Sequence, residues 1–269
     1  MENPLRFLRP RPTISVIRLE GVIGAGPRFG APSLTDAGLA PLIEAAFGKR
    51  TVAVALAINS PGGSAAQSSL IAARIRRLAD EKKIPVHAFV EDVAASGGYW
   101  LATAADRIHV DPNSITGSIG VIYAAFGFPE LLARYGVERR VHTAGEDKSL
   151  LDPFRPERPK DVERLKRLQA EIHENFIEQV KTRRGDRLKG DDLFTGEIWV
   201  GAGAIEVGLV DEIGHLAPTM QRLYGEKTKF RVLSARRPLM RRLGLPGPSA
   251  LLSGVEERGH WTRFGLTAP

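Results

Sequence analysis

The chain has 269 residues and no cysteine. A disulfide framework, a thiolate metal site and a cysteine nucleophile are therefore excluded. Long apolar runs are also missing, since the longest, residues 52–58, has only the length of a strand. A transmembrane helix needs about 18 apolar residues. Residues 1–12 are basic but lack the apolar core of about 7–15 residues that a signal peptide needs. We therefore expect neither a transmembrane helix nor a signal peptide.

The net charge of +7 is concentrated at the two ends of the chain. Residues 1–12 carry +2 and residues 233–269 carry +4, which leaves +1 for the body between them. A near-neutral body argues against a nucleic-acid-binding domain, so no nucleic-acid partner is expected. We predict a basic arm over residues 1–12, a folded domain over 13–235 and a flexible basic tail over 236–269. The tail combines arginines with leucines, so it either contacts an anionic membrane surface as a peripheral anchor or is simply solvated.

Hydrophobic patterning predicts an α/β fold, in which a mostly parallel sheet is flanked by helices and a long amphipathic helix is added. Along the long helix, apolar residues recur at steps of three and four. The predicted strands are residues 13–19, 51–59, 86–90, 108–110, 119–122, 138–142 and 230–233. The predicted helices are residues 39–47, 64–82, 94–105, 129–135, 160–183 and 202–206.

The first motif that could carry chemistry is NSPGGS, residues 59–64, between a buried strand and a helix. The paired glycines Gly62 and Gly63 allow a sharp turn that exposes backbone N–H groups. Such groups can stabilise an oxyanion. The alternative is a plain strand-to-helix turn with Ser64 as the helix N-cap.

The second motif is DVAASGGY, residues 92–99, which places a lone serine, Ser96, among small residues after a strand. This pattern resembles a nucleophile elbow, in which small neighbours let a substrate carbonyl approach. The alternative is that Ser96 serves only as an N-cap.

A serine hydroxyl needs a general base. None of the six histidines lies in a motif with an orienting carboxylate, and we expect each to be a surface or packed residue. A desolvated lysine is the other option. Lys148 lies in a polar stretch that looks exposed, so composition alone does not select it.

Together these residues resemble the signal peptide peptidase A family, serine peptidases with a Ser–Lys dyad in the Clp/crotonase superfamily. The likeness runs from about residue 16 to residue 214 and rests on motifs that are weak singly but specific in order. They are NSPGG at 59–63, ASGGY at 95–99 with Ala105-Asp106 following, TGSIGV at 116–121, Gly145, Lys148 and Pro153-Phe154, and GLVDEIG at 208–214. Ser96 and Lys148 are 52 positions apart, as the family pattern requires.

The resemblance implies a role for each matched position. Ser96 would attack the peptide carbonyl, and a neutral Lys148 would take its proton and later return it to the leaving amine. The N–H groups of Gly63 and Gly97 would form the oxyanion hole, and Ser118 would orient the lysine. An extended substrate would pair with the edge beside Gly62 and Gly63. The implied substrates are peptides such as signal-peptide remnants or membrane-protein fragments, with no cofactor and no metal.

The resemblance also implies assembly into a ring or dome, in which the dyad is completed within or between subunits. The long helix would then build contacts between subunits, or it packs within its own chain. Family members usually carry an N-terminal membrane anchor, which this sequence does not show. A cytoplasmic form, a protein peripheral to the inner membrane of a bacterium, and a chain from which the anchor has been removed all stay open.

Three other functions are compatible with parts of the sequence. A crotonase-like acyl-CoA enzyme would share the oxyanion hole but use Glu91 or Asp92 as its base. A Clp-type Ser–His–Asp peptidase would need a histidine about 25 residues after Ser96 by family resemblance, where Val121 stands, and His109 comes too early. A non-catalytic scaffold that holds membrane partners is the fourth interpretation, and the intact dyad speaks against it.

Overall fold

The computed structural model describes residues 11–24, 34–145, 148–233, 261–264 and 266. The chain forms two compact units. The first combines Met1–Ile119 with Ile177–Pro269, and the second is Gly120–Phe176. None of the helices in these described ranges has the length and apolar content needed to cross a membrane.

A sheet of eight strands forms the centre of the first unit. Its main path runs β6-β5-β3-β2-β1-β8, and β4 pairs with both β3 and β7. Every pairing is parallel except that of β5 with β6. The strands are β1 (Thr13–Glu20), β2 (Thr51–Ser60), β3 (Val86–Ala95), β4 (Arg107–Val110), β5 (Ile115–Gly117), β6 (Ile198–Val200), β7 (Glu212–Ile213) and β8 (Lys229–Leu233). The predicted α/β fold with a mostly parallel sheet is confirmed.

The helices of the first unit are α1 (Asp36–Ala46), α2 (Ala65–Lys82), α3 (Gly97–Ala102), α6 (Gly201–Glu206) and α7 (Leu216–Tyr224). The second unit contains α4 (Pro129–Arg134) and the start of α5 (Pro159–Arg184), which ends in the first unit. A short 3₁₀ turn, Gly185–Arg187, follows α5.

Strand β2 is nearly all apolar because it lies inside the sheet, between β1 and β3. Ala53, Ala55 and Ala57 pack with Phe89 and Met220 in a cluster that α7 covers through Leu216 and Tyr224. A continuous apolar run of this kind is what a parallel strand buried on both faces requires. The packing of β2 therefore fixes the position at which the following loop begins.

Helix α2 begins where the sequence predicts, because the Ser64 side chain accepts a hydrogen bond from the Gln67 N–H and caps it. It ends at Lys83, which adopts a left-handed conformation. Ile71, Ile75 and Leu78 form its buried face, as the periodicity predicts.

A buried ion pair ties the end of α5 to the GLVDEIG motif. Arg184 and Asp211 form two 3.0 Å contacts, and their side chains are 2% and 9% exposed. Asp211 also accepts the Ile108 N–H at 2.7 Å. Burial acts to raise the pKa of Asp211, but the hydrogen bonds from Arg184 and Ile108 outweigh it and the net pKa is lowered.

Three predictions of secondary structure are wrong. Residues 119–122 and 138–142 are described but form no strand, and the predicted helix at 94–105 begins later because β3 continues through Ala95. Short segments form strands only where a neighbouring strand completes the hydrogen-bond ladder. Neither of the two runs pairs with a strand in the described ranges.

A short C-terminal segment also belongs to the first unit. Trp261 is 1% exposed and packs on Val93 and Ala95, beside Phe264 and Leu266. Residues 236–260 and 267–269 of the predicted tail, and residues 1–10 of the predicted arm, lie outside the described residues.

Candidate active site

Ser96 occupies the sharp junction between β3 and α3. Its backbone has φ +52° and ψ −122°, a conformation that residues with side chains rarely adopt. Hydrogen bonds hold it there, since its N–H donates to Gly117 O at 2.8 Å and its C=O accepts from Trp100 N–H at 3.0 Å. Ser96 occupies the N-cap position of α3, but its side chain makes no capping bond and is partly exposed. The geometry is that of a strained turn that presents a hydroxyl.

The glycine pair after β2 packs directly against this junction. Gly62 and Gly63 have φ values of +105° and +142°, which favour glycine. A Cβ atom added to Gly62 would lie 2.8 Å from Ser96 Cβ and 2.9 Å from Gly97 N. Only a residue without a side chain therefore fits between the loop and the serine.

The backbone nitrogens of Gly63 and Gly97 lie near one another beside Ser96. A Cβ atom on Gly97 would lie 3.4 Å from Gly63 N, so the two glycines face one another closely. Among the described residues, neither N–H donates a hydrogen bond. Two unused donors next to a presented hydroxyl can stabilise negative charge on a carbonyl oxygen.

The chain itself already occupies part of the edge beside the glycines. Ile23 N–H donates to Gly62 O at 2.8 Å, and Ile23 O accepts from Ser64 N–H at 2.9 Å. Ile23 therefore takes up the Gly62 carbonyl on this side, and the pairing of substrate beside Gly62 and Gly63 stays a prediction. The parallel bridge turns the backbone groups of Gly63 away from Ile23.

Ser118 lies one residue beyond the point where β5 meets the end of β3. Gly117 pairs with Ala95, and Ser118 N–H donates to Glu197 O at 2.6 Å. Ser118 is 3% exposed and has φ +51°, a second strained residue close to Ser96 in the sheet.

Lys148 belongs to the second unit, whereas Ser96 belongs to the first. Its side chain is exposed, and its backbone N–H donates to Gly145 O at 3.3 Å in a turn. The pairing of Lys148 with Ser96 stays a prediction.

The two acidic residues considered as an acyl-CoA base have structural partners instead. Both Glu91 oxygens accept from Arg18, at 3.1 and 2.8 Å, and Asp92 accepts from Asn59 at 2.7 Å. Sequence reasoning missed this role of Asn59. The signal for it was an amide side chain directly after a buried strand, where only a polar partner could justify it.

The histidines of the sheet are packed, as expected. His87 Nδ1 lies 3.1 Å from His109 Nε2, and Phe89 stacks on His109 with ring centroids 4.5 Å apart. His109 Nδ1 is 3.1 Å from Glu212 Oε1 but lacks the alignment of a hydrogen bond. Burial, and then repulsion from His87, lowers the pKa of His109 to about 4. The sequence did not reveal that exposed His215 pairs with Asp111 at 2.8 Å.

Known proteins with similar sequences include two that are much longer than this chain. Over 282 residues the chain is 47% identical to a Brucella melitensis protein named Na(+)/H(+) antiporter NhaA, covering 98% of this chain and 38% of that protein. It is 32% identical to the chloroplastic serine protease SPPA of Arabidopsis thaliana, covering 77% of this chain and 31% of that one. The chain thus spans well under half of either relative.

Among solved structures, the chain resembles the 1510-N membrane-bound stomatin-specific protease. One mutant of that protein, solved with a substrate peptide, matches with a TM-score of 0.52 at 15% identity, covering 90% of this chain and 98% of that one. At this identity the likeness shows a shared fold.

The profile of peptidase family S49 matches residues 78–228, which is more than half of the chain and includes Ser96, Gly97, Ser118 and Lys148. Most of the protein that bears the antiporter name lies outside the match, whereas the S49 profile matches within this chain itself. The chain belongs to peptidase family S49.

Proposed function

We propose that the protein is an endopeptidase in which Ser96 is the nucleophile and Lys148 is the general base. The observation that carries the proposal is the packing of Gly62 and Gly63 against the strained Ser96 junction, where the Gly63 and Gly97 N–H groups have no partner among the described residues. A serine presented in this way, beside two unused donors, suits acyl transfer.

In the proposed reaction, Ser96 Oγ forms a bond to the substrate carbonyl carbon while its proton passes to neutral Lys148. The negative charge on the carbonyl oxygen is stabilised by the Gly63 and Gly97 N–H groups. Lys148 then returns the proton to the leaving amine as the C–N bond breaks. Water hydrolyses the acyl-enzyme by the same steps in reverse order. Ser118 orients the lysine, and its burial and fixed backbone suit a positioning role.

The base must lose its proton to act, but Lys148 is exposed in the single chain. We therefore propose that the working protein is a homo-oligomeric ring or dome, in which the dyad is completed within one subunit or between neighbours. Desolvation by a packed neighbour would favour the neutral amine.

Helix α5 supports this assembly. Its apolar stripe is buried near its C-terminal end, at Phe176 and Val180, but Leu168 and Ile172 are 44% and 37% exposed. Phe176 and Val180 thus pack within the chain. We propose that Leu168 and Ile172 contact a second copy of the protein. Light scattering would report the assembly. Leu168→Glu should reduce the particle size, Lys166→Glu on the same helix should not, and an unchanged size for Leu168→Glu would contradict the role of α5.

The substrates we propose are peptides such as signal-peptide remnants or membrane-protein fragments, with small or aliphatic residues before the scissile bond. The second unit contains a cavity of about 710 Å³ lined by Tyr123, Phe126 and Leu151 among others. Phe126, Phe128 and Phe154 stand close together there and are exposed. The aromatic residues of the second unit suit apolar segments of a substrate, although charged residues such as Arg155 and Asp161 also line the cavity.

Contact of the basic tail with a membrane stays a prediction, because most of the tail lies outside the described residues. Co-sedimentation with anionic and neutral vesicles would test it, and equal binding to both would contradict it.

Active-site labelling tests the catalytic proposal. A fluorophosphonate probe should label the wild type at Ser96, and folded Ser96→Ala and Lys148→Ala should not be labelled. Lys166→Ala is the matched lysine control in the second unit and should be labelled normally. Full labelling of Lys148→Ala would refute the dyad, and labelling of folded Ser96→Ala would refute the nucleophile.

A further inference from the structure

The strand that carries Ser96 is interrupted by a bulge just before it reaches the serine. In the pairing of β2 with β3, Ile58 faces Val90, but two residues later Ser60 faces Ala94. Strand β3 therefore accommodates two more residues than β2 over this stretch. Bulges next to active sites turn a strand and redirect the side chains beyond them. The direction of the last residues of β3, and with it the position of Ser96, depends on this bulge.

The bulge also marks a change of neighbour along the edge of β3. Before it, residues 87–90 pair with β4, and after it, residues 93–95 pair with β5. Glu91 and Asp92 lie between the two ladders and have no strand partner on that side. Their backbone groups, and the N–H of Val93, must find partners elsewhere or remain unsatisfied.

Ser114 and Asn59 each bind one of these backbone groups, and the Glu91 and Asp92 carboxylates have side-chain partners as well. Arg18 of β1 binds the Glu91 carboxylate, and Ser114 Oγ donates to Glu91 O at 2.6 Å. Asn59 makes two bonds at once. Its Nδ2 donates to Asp92 Oδ2 at 2.7 Å, and its Oδ1 accepts the Val93 N–H at 3.3 Å. Asn59 is 7% exposed and its bond to the Val93 N–H is buried, whereas Asp92 is exposed and the bond between the two side chains is partly buried.

Asn59 is also the first residue of the loop that carries the glycine pair. Its own C=O accepts from the Gly21 N–H at 3.0 Å, and Ser60 Oγ donates to Gly21 O at 2.7 Å. One buried amide thus joins the loop of Gly62 and Gly63 to the bulge that precedes Ser96 and Gly97. The spacing between hydroxyl and donors is set across this link.

We propose that Asn59 and Asp92 form a clamp that positions Ser96 against the two glycine N–H groups. The inference rests on the proposed role of Ser96 as nucleophile. Neither residue touches substrate in this assignment. They are positioning residues, and their loss should slow the reaction of Ser96 more than it weakens substrate binding.

Exchanging the two side chains of the clamp, at positions 59 and 92, tests it. Asn59→Asp alone places two carboxylates side by side, whereas Asn59→Asp with Asp92→Asn restores one donor and one acceptor in reversed order. In the double variant, residue 59 can still accept the Val93 N–H and can accept from the amide at 92. Asn113→Asp is the matched control. Asn113 lines a cavity together with Glu91 and Asp92, but it lies outside the bulge and donates to Asp111 at 3.0 Å.

The experiment measures fluorophosphonate labelling of Ser96, kcat and KM, and thermal unfolding for all four proteins. For Asn59→Asp we expect labelling and kcat to fall about 10- to 100-fold with little change in KM, since a displacement of about 1 Å can cost roughly 100-fold. The double variant should return to within about twofold of the wild type. Asn113→Asp should match the wild type.

A pH series separates the clamp from a loss of packing. Two adjacent carboxylates share a proton as the pH falls, which restores a hydrogen bond. The ratio of Asn59→Asp to wild-type labelling should therefore rise toward lower pH. The other charged groups around Asp92 are the Arg18–Glu91 and His215–Asp111 pairs. The control variant Asn113→Asp retains both pairs. A ratio that is independent of pH would argue against the clamp.

If the wild type is labelled at Ser96 and a folded Asn59→Asp variant is labelled equally fast, the clamp is overturned but the nucleophile is not. A double variant as slow as Asn59→Asp, although equally stable to the wild type, would also overturn it. A folded, assembled wild type that is not labelled at Ser96 would overturn the nucleophile and the clamp together.

Discussion

Gly97 is the position where stability and activity can be separated most directly. A Cβ atom added there would collide with Ser68 Oγ, which is fully buried and donates to Ser64 O at 2.9 Å. The hydroxyl cannot move without giving up that bond, so Gly97→Ala is an overpacking substitution. Such changes cost about 1–3 kcal/mol of the free energy of unfolding, and for a protein of this size each kcal/mol lowers Tm by roughly 2–4 °C.

The collision can be removed by a second substitution. Ser68→Ala deletes the offending oxygen, and the next atoms around the new methyl group are Ile23 Cδ1 at 3.2 Å and Gly63 N at 3.4 Å. Ile23 Cδ1 is the end of a flexible side chain. In a double-mutant cycle measured by urea unfolding, we expect Ser68→Ala to recover about 1–2 kcal/mol of the loss caused by Gly97→Ala.

Activity should behave differently from stability in the same cycle. The methyl group still lies 3.4 Å from Gly63 N, beside the place where the carbonyl oxygen would bind. Residue 97 keeps its own N–H, but the methyl group would block the approach of a carbonyl oxygen to the Gly63 N–H. Since loss of one oxyanion donor costs about 100- to 1,000-fold in kcat, we expect the double variant to be stable but to stay slow with a fluorogenic peptide. Full activity of Gly97→Ala would refute the oxyanion hole. A double variant no more stable than Gly97→Ala would refute the collision with Ser68.

Three further predictions concern stability. His109 is neutral in the fold because burial lowers its pKa to about 4, so stability should be complete above its ordinary value of about 6.5. It should fall by up to about 3 kcal/mol as the pH drops toward 4, and urea unfolding of His109→Gln should show a flatter profile. Trp261→Ala should cost about 3–5 kcal/mol, and Trp261→Phe less, because the indole N–H has no partner among the described residues. Equal losses would contradict this packing. Asp211→Asn should cost about 3–5 kcal/mol by calorimetry, because it leaves Arg184 buried without its counter-charge, and a loss under about 1 kcal/mol would contradict the pairing.

The prediction of the fold succeeded where the signal is local or strongly periodic. The apolar run of β2, the N-cap at Ser64 and the amphipathic pattern of α5 each lie within one stretch of chain. It failed at residues 119–122 and 138–142, whose composition suits a strand but which have no neighbouring strand to pair with. Strand formation depends on a partner that is distant in sequence, and composition does not contain that partner.

For the site, the order and spacing of the motifs selected Ser96, Lys148 and the glycines, and resemblance to a family gave them roles. The structure adds the strained backbone of Ser96 and the proximity of the Gly63 and Gly97 backbone nitrogens. It also shows that Ile23 already occupies the edge at Gly62, which no pattern in the sequence indicated.

By itself the sequence determined the fold class and the absence of cysteine chemistry, which follow from periodicity and composition. The candidate peptidase residues came from the resemblance of its ordered motifs to a known family. Only the tertiary structure decided the bulge in β3 and the amide of Asn59 that spans it. A bulge arises from the register between two strands, and its orphaned N–H groups take whichever side chain the fold brings near. That choice is made by packing in three dimensions, and no single stretch of sequence contains it.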